Sequence, residues 1–364
     1  MVNKFYLCRD ESIMGKDLEK VSELHEKMMP YSGQKILIVL RGAPDADSIA
    51  AALAHQAILN SWGIGSTILH VEAVSHQENL ALLKLLGIEL VQYRPGFPFG
   101  EYKAISLVDS QRPDIALAEA LKNMPVASIV DHHDQFGVLK ADFIDIRKNV
   151  GSTATIYAEY LQRLDLLATL EEESMPIATA LMHGIRVDTK DLIVAQESDY
   201  LAMAYLRRYA DVELLEKISQ QNLSPTTMDI IFQAYQRKDI YGSFLLAAAG
   251  VVRREDRDAI PQAADFLLKR AGIDTVMVYG IVGEYIDCSL RTNSDVIQPE
   301  KFIQDTFPDV VMGEYGGRFD QGGFRLPLGI FKALASGDDK EALSMVVDRY
   351  IKKQIATKFG FEKG

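Results

Sequence analysis

Three apolar runs in the first 133 residues each end in acidic side chains. Ile36-Leu37-Ile38-Val39-Leu40 leads into Arg41-Gly42-Ala43-Pro44-Asp45-Ala46-Asp47, Ala104-Ile105-Ser106-Leu107-Val108 into Asp109-Ser110, and Ala127-Ser128-Ile129-Val130 into Asp131-His132-His133. An apolar β-rich run that stops at acids and imidazoles reads as a buried strand delivering ligands to its carboxyl end. In an open parallel sheet ligands collect outside the carboxyl ends of the strands, so these acids should face one crevice. Carboxylates crowded there cannot all stay ionised without cations, which points to bound divalent metal. The mixed oxygen and nitrogen donors suit Mn²⁺ or Mg²⁺ better than a structural zinc. Taken singly, each Asp is more often a turn or helix cap. The conjunction carries the inference.

The elements that must position these residues alternate. Leu18, Val21, Leu24 and Met28 space an amphipathic helix over 12–30. Strands follow at 35–40, 66–71, 89–91, 103–108 and 126–130, separated by helices at 48–62, 77–86 and 114–122, with a loop over 93–100. This βαβ alternation implies an α/β fold with a doubly wound parallel sheet. Ser152 is a good N-cap for a helix at 153–164, a position that also favours anions. Helical segments at 171–185 and 197–209, and on to about 236, complete the first region and a connector. The reading is a catalytic domain over 1–195, a helical connector over 196–238 and a smaller α/β domain over 239–364. In that last domain strand-like segments lie at 240–252, 275–282 and 284–291. Helices are expected there at 260–271, 298–307 and 338–355, and a Gly-rich element runs from Gly313 to Gly323.

A chain of 364 residues is long enough for two cores. A net charge of −12 argues against coating long nucleic acid, since that affinity comes from many Lys and Arg contacts to phosphate. It leaves room for a short anionic substrate held by metal and a few placed arginines. Cys8 and Cys288 fit no zinc spacing and read as free thiols. The N-terminal residues develop no signal-like apolar core, and no apolar run approaches membrane-spanning length, so the expected location is cytoplasmic, away from membranes.

Asp45-x-Asp47, Asp109, Asp131-His132-His133 and Gly184-Ile185-Arg186-Val187-Asp188-Thr189, in that order, resemble the four motifs of the DHH phosphoesterase superfamily. Asn149 to Ala154 resembles the segment after the third motif. Cys288-Ser289-Leu290-Arg291-Thr292 with Gly316-Gly317 resembles the associated C-terminal DHHA1 domain. The resemblance implies two Mn²⁺ or Mg²⁺ ions. Asp45 would hold the first, Asp47, His132 and Asp188 the second, and Asp109 would bridge them. Asp131 would orient His132, and His133 would contact the scissile phosphate. Ser289, Arg291, Gly316 and Gly317 would bind substrate, joined by Arg318 and Phe319, which stand where the family has Gly and His. Arg41 stands where the family has a metal-ligating His, so the first site is weakened, absent or replaced by the guanidinium charge itself. The implied substrates are short oligoribonucleotides, 3′-phosphoadenosine 5′-phosphate or a di-adenylate. The alternatives are an inorganic pyro- or polyphosphatase, or a nucleotide-binding regulatory protein with impaired catalysis. A homodimer is left open.

Overall fold

Each apolar run that ends in acids is a strand, and each begins or ends within a residue or two of its expected position. The computed structural model describes residues 11–74, 76–135, 139–220, 223–308, 310, 315–317, 320–334 and 339–360. They fall into two compact units, one ending at residue 221 and one beginning at residue 222. The expected connector over 196–238 is thus divided between the two. Its first helices pack in the first unit, and its last, which carries Ile230, Ile231 and Ala234, buries them in a core of the second.

In the first unit the strands are β1 (Lys35–Val39), β2 (Gly65–His70), β3 (Val91–Gln92), β4 (Ala104–Val108), β5 (Val126–Asp131) and β6 (Phe143–Ile146). The helices are α1 (Glu11–Met28), α2 (Ala46–Ser61), α3 (Gln77–Leu86), α4 (Ile115–Leu121), α5 (Thr153–Arg163), α6 (Ser174–Asp188), α7 (Glu197–Leu206) and α8 (Val212–Ser219). All strand pairs are parallel and the order is β3-β2-β1-β4-β5-β6, a doubly wound sheet as expected. Strand β6 is the one the sequence reading missed. It has four residues, only two of them buried, too few for an apolar run.

Helix α2 is buried almost all round, and its alanines let neighbours approach closely. The tightest approach is from α6 at Gly184, where a Cβ would lie 3.1 Å from both the Ala46 carbonyl oxygen and the Asp47 Cα. Backbone atoms cannot step aside as a side-chain tip can. Gly184→Val should therefore destabilise the first unit by about 1–3 kcal/mol through overpacking, read as a fall of several degrees in its thermal unfolding by circular dichroism.

The second unit carries α9 (Pro225–Gln236), β7 (Lys238–Tyr241), β8 (Phe244–Val252), α10 (Ala259–Leu267), β9 (Thr275–Val282), β10 (Tyr285–Thr292), α11 (Pro299–Thr306), β11 (Tyr315–Gly317), β12 (Gln321–Pro327), α12 (Gly329–Leu334) and α13 (Lys340–Lys358). Its sheet is mixed, in the order β11-β12-β10-β9-β8-β7, with β8 and β9 the parallel pair. The expected single strand over 240–252 is a hairpin, turned at Gly242, whose φ is +64°. Cys288 is a free, buried thiol, and Cys8 lies outside the described residues. Among the described residues no helix is long and apolar enough to cross a membrane.

Candidate metal centre

In this strand order the chain reverses direction of travel between β1 and β4, and the crevice of a doubly wound sheet lies at the carboxyl ends of those strands. Asp45 follows β1 and caps α2: its Oδ1 accepts the Ser48 amide at 2.9 Å while the Asp45 amide donates to Ser48 Oγ at 3.0 Å. This capping box starts the helix at Ala46, so Asp45 and Asp47 straddle a helix start and are not a continuation of the strand. Asp45 stays exposed at the rim and Asp47 turns inward to full burial. Asp47 Oδ2 accepts the Thr153 amide at 2.8 Å and Oδ1 the Ala154 amide at 2.7 Å. The amino end of α5 therefore holds a carboxylate of the site, a favourable charge for that end of a helix.

Asp109 follows β4 with φ +56°, a left-handed conformation that costs a non-glycine residue about 1–3 kcal/mol. Thr153 Oγ1 donates to its Oδ1 at 2.8 Å. Asp188 is the last residue of α6, one helical turn beyond Gly184. His132 Nε2 lies 3.2 Å from Asp188 Oδ2, 3.7 Å from Asp109 Oδ1 and 3.9 Å from Asp47 Oδ2. Two triads have all their donor atoms within 4.8 Å of one another: Asp47, His132 and Asp188, and Asp109, His132 and His133. Neighbouring donors around an octahedral Mg²⁺ sit roughly 3 Å apart, so these separations fit one small divalent ion after slight closure. Each Asp47 oxygen that accepts an amide still has a lone pair to offer. Asp45 belongs to neither triad.

The electrostatics agree with the donor set. Burial, then the charges of Asp47, Asp45 and Asp188, hold Asp109 well above the usual carboxylate range. Burial and the charge of Asp188 push Asp47 up to about 8 against the partial relief of His132. A bound cation would relieve this crowding.

Asp131 behaves oppositely. Burial would raise it, but hydrogen bonds from His133 and Gln111 prevail and hold it below the ordinary value. Its Oδ1 is 2.7 Å from His133 Nδ1 and accepts the His133 amide at 3.2 Å, while Oδ2 accepts Gln111 Nε2 at 2.8 Å. Asp131 thus orients His133, not His132 as the sequence reading had it. Two residues on, the chain has left the strand and folds the second imidazole back over the carboxylate. Gln111 was not singled out from the sequence, and a lone Gln carries no signal. Asp131→Ala should lower turnover about 10- to 100-fold, the usual cost of losing a carboxylate that orients a site histidine. Steady-state kinetics on a phosphodiester would read it, with full activity counting against the role.

Arg41 is exposed and, among the described residues, makes no hydrogen bond or ion pair. His183, on α6, is buried facing α3 with Nε2 3.7 Å from Glu78 Oε2, and burial draws its pKa down to about 4.

Within the second unit, Arg291 Nε donates to Asp265 Oδ1 at 2.7 Å and Nη1 to Ser289 Oγ at 2.9 Å. Ser289 and Arg291 line a cavity of about 190 Å³ with Arg257, Asp287, Gly322 and Gly323. Gly316 and Gly317 pair with Gly323 and Gly322 along β11 and β12. A Cβ on Gly316 would meet open space, whereas one on Gly323 would lie 2.9 Å from the Cys288 carbonyl oxygen. Arg318 and Phe319 lie outside the described residues.

Residues 35–185 match the model of the DHH family, N-terminal domain. An uncharacterised protein of Methanocaldococcus jannaschii, MJ1633, is 35% identical over 349 residues, which cover 95% of this chain and 67% of that protein. The crystal structure of an exopolyphosphatase-related protein from Bacteroides fragilis shares the fold, with a TM-score of 0.66 over 94% of this chain and 98% of that chain at 14% identity.

Proposed function

This chain belongs to the DHH family of phosphoesterases, and on that premise we propose that it is a Mn²⁺- or Mg²⁺-dependent hydrolase of short nucleotides. The substrates that fit the reading are short oligoribonucleotides, 3′-phosphoadenosine 5′-phosphate and a di-adenylate. The observation that carries it is the convergence of Asp47, Asp109 and Asp188 on His132 Nε2 within 3.9 Å at the switch point of the sheet.

In this reading Asp47, Asp109, His132 and Asp188 hold the ion. When bound, a divalent ion supplies a water acidic enough to attack phosphorus near neutral pH and neutralises phosphate charge. The protein does the rest. The amino end of α5 fixes Asp47, and Thr153 fixes Asp109. Asp131 keeps the proton of His133 on Nδ1, so Nε2 is left to exchange a proton with a phosphate oxygen or the leaving group. Ser289 and Arg291 are the substrate-binding residues, Arg291 through the planar fork that suits phosphate. In this reading the exposed Arg41 contributes its guanidinium charge where the family has a metal-ligating His.

The test is release of mononucleotide or phosphate, with Mn²⁺ or Mg²⁺, from a dinucleotide, 3′-phosphoadenosine 5′-phosphate, linear and cyclic di-adenylate, pyrophosphate and tripolyphosphate. Turnover of a nucleotide, absent in His132→Ala, is expected. Turnover of the inorganic substrates alone would transfer the assignment to them, and tight nucleotide binding without turnover would mark a regulatory protein.

A further inference from the structure

Asp199, in the first turn of α7, belongs to none of the motifs above, yet it is fully buried. Its carboxylate accepts the Gly151 amide at 3.0 Å on both oxygens, Thr155 Oγ1 at 2.6 Å on Oδ1 and the Gln196 amide at 2.7 Å on Oδ2. A buried carboxylate is costly, and several charge-assisted hydrogen bonds are what offset that cost. Two of these donors stand at the amino end of α5. The third belongs to the segment that leaves Asp188.

Both segments serve the site. The first turn of α5 supplies the amides on Asp47 and the hydroxyl on Asp109. The segment after Asp188 runs through Lys190, Asp191 and Leu192 at φ +52°, +53° and +70°, three successive non-glycine residues in the left-handed region. Each costs about 1–3 kcal/mol and persists only where the surroundings over-determine it. Here Asp191 N donates to the Arg186 carbonyl at 2.7 Å, and Leu192 N to Thr189 Oγ1 at 3.2 Å. The two segments meet at Gly151, where a Cβ would fall 2.4 Å from Thr189 Cγ2 and 2.5 Å from Asp199 Oδ2.

Resting on the metal-dependent phosphoesterase reading, we propose that Asp199 is the positioning residue of the metal centre. It ties the α5 turn beneath Asp47 and Asp109 to the strained turn that leaves Asp188, and so sets the spacing of the three carboxylates. Asn in its place keeps the volume but offers one acceptor where two are used, and turns an amide toward a donor.

Mn²⁺ titration by calorimetry and hydrolysis of bis-p-nitrophenyl phosphate test this on the full chain. Asp199→Asn should stay folded, bind Mn²⁺ about 10-fold more weakly and lose kcat by a similar factor at unchanged KM. Thr155→Val, which removes one of the bonds, should weaken Mn²⁺ binding by a smaller factor, and Thr155→Ser, which keeps the hydroxyl, should restore it. Leu201→Ala, exposed on the same helix, should match the parent. If Asp199→Asn does not fold, the Thr155 pair decides. Mn²⁺ affinity within twofold of the parent in a folded Asp199→Asn, or in Thr155→Val, overturns the proposal. A parent that binds Mn²⁺ but hydrolyses no ester removes the phosphoesterase reading alone, and the titrations still decide the role of Asp199. A parent that binds no Mn²⁺ overturns both.

Discussion

An Asp109→Asn protein should be nearly inactive and, without metal, more stable than its parent. Asn keeps an oxygen for the Thr153 hydroxyl bond and is among the few residues that tolerate the left-handed backbone at this position, where φ is +56°. What it removes is a buried charge crowded by Asp47, Asp45, Asp188 and Asp131. Losing a carboxylate ligand to the ion should lower hydrolysis by about 10³-fold or more, on the order of 4 kcal/mol of barrier. At neutral pH the unfolded chain ionises Asp109 while the folded chain resists doing so, so the substitution should raise metal-free stability. That gain should fade as pH drops through the ordinary value of 3.8 and vanish below it, where the carboxyl is protonated in both states. Equal melting temperatures for variant and parent at pH 8 in chelator would contradict the crowding, and retained activity would contradict the ligand role.

Chelation should abolish turnover and also change how stability depends on pH. Asp47 is raised from 3.8 to about 8. A carboxyl whose folded pKa lies above its unfolded value binds its proton more tightly in the folded state. Stability from that group is then full below about pH 4, declines as pH rises toward 8 and levels off beyond it. Metal-free protein should therefore melt lower at pH 8 than at pH 6. A fixed Mn²⁺ concentration, about 100 times the dissociation constant at pH 6, should add about 2.7 kcal/mol there, some 5–10 °C for a unit of this size, and more at pH 8, where the carboxylates bind it more tightly. Differential scanning fluorimetry with and without chelator reads both effects. A metal-free melting temperature that rises from pH 6 to pH 8 would reverse the sign and refute the carboxylate crowding.

Much of this site could be read in the sequence because its parts are local. A buried strand announces itself as an apolar run, and the residues next in the chain stand at its carboxyl end. On that ground Asp47, Asp109 and His132 were expected in one crevice, Asp188 was added by the family resemblance, and the fold brings all four together. The short edge strand β6 escaped, since half-buried residues on four positions leave no pattern. The hairpin of β7 and β8 merged into one run because its turn is only two residues long.

By itself the amino-acid sequence determined the doubly wound first unit, its family and the group of acids that converge, because burial periodicity and strand ends are properties of neighbouring residues. Only the tertiary structure decided which imidazole Asp131 holds, that Asp45 caps a helix while Asp47 is buried against another, and that Asp199 ties α5 to the turn after Asp188. Those depend on hydrogen bonds between atoms as many as 107 residues apart, as from Ala154 to Asp47. Which donor reaches which acceptor across that span is fixed by how helices seat on the sheet, to within a fraction of a bond length, and no spacing along the chain encodes it.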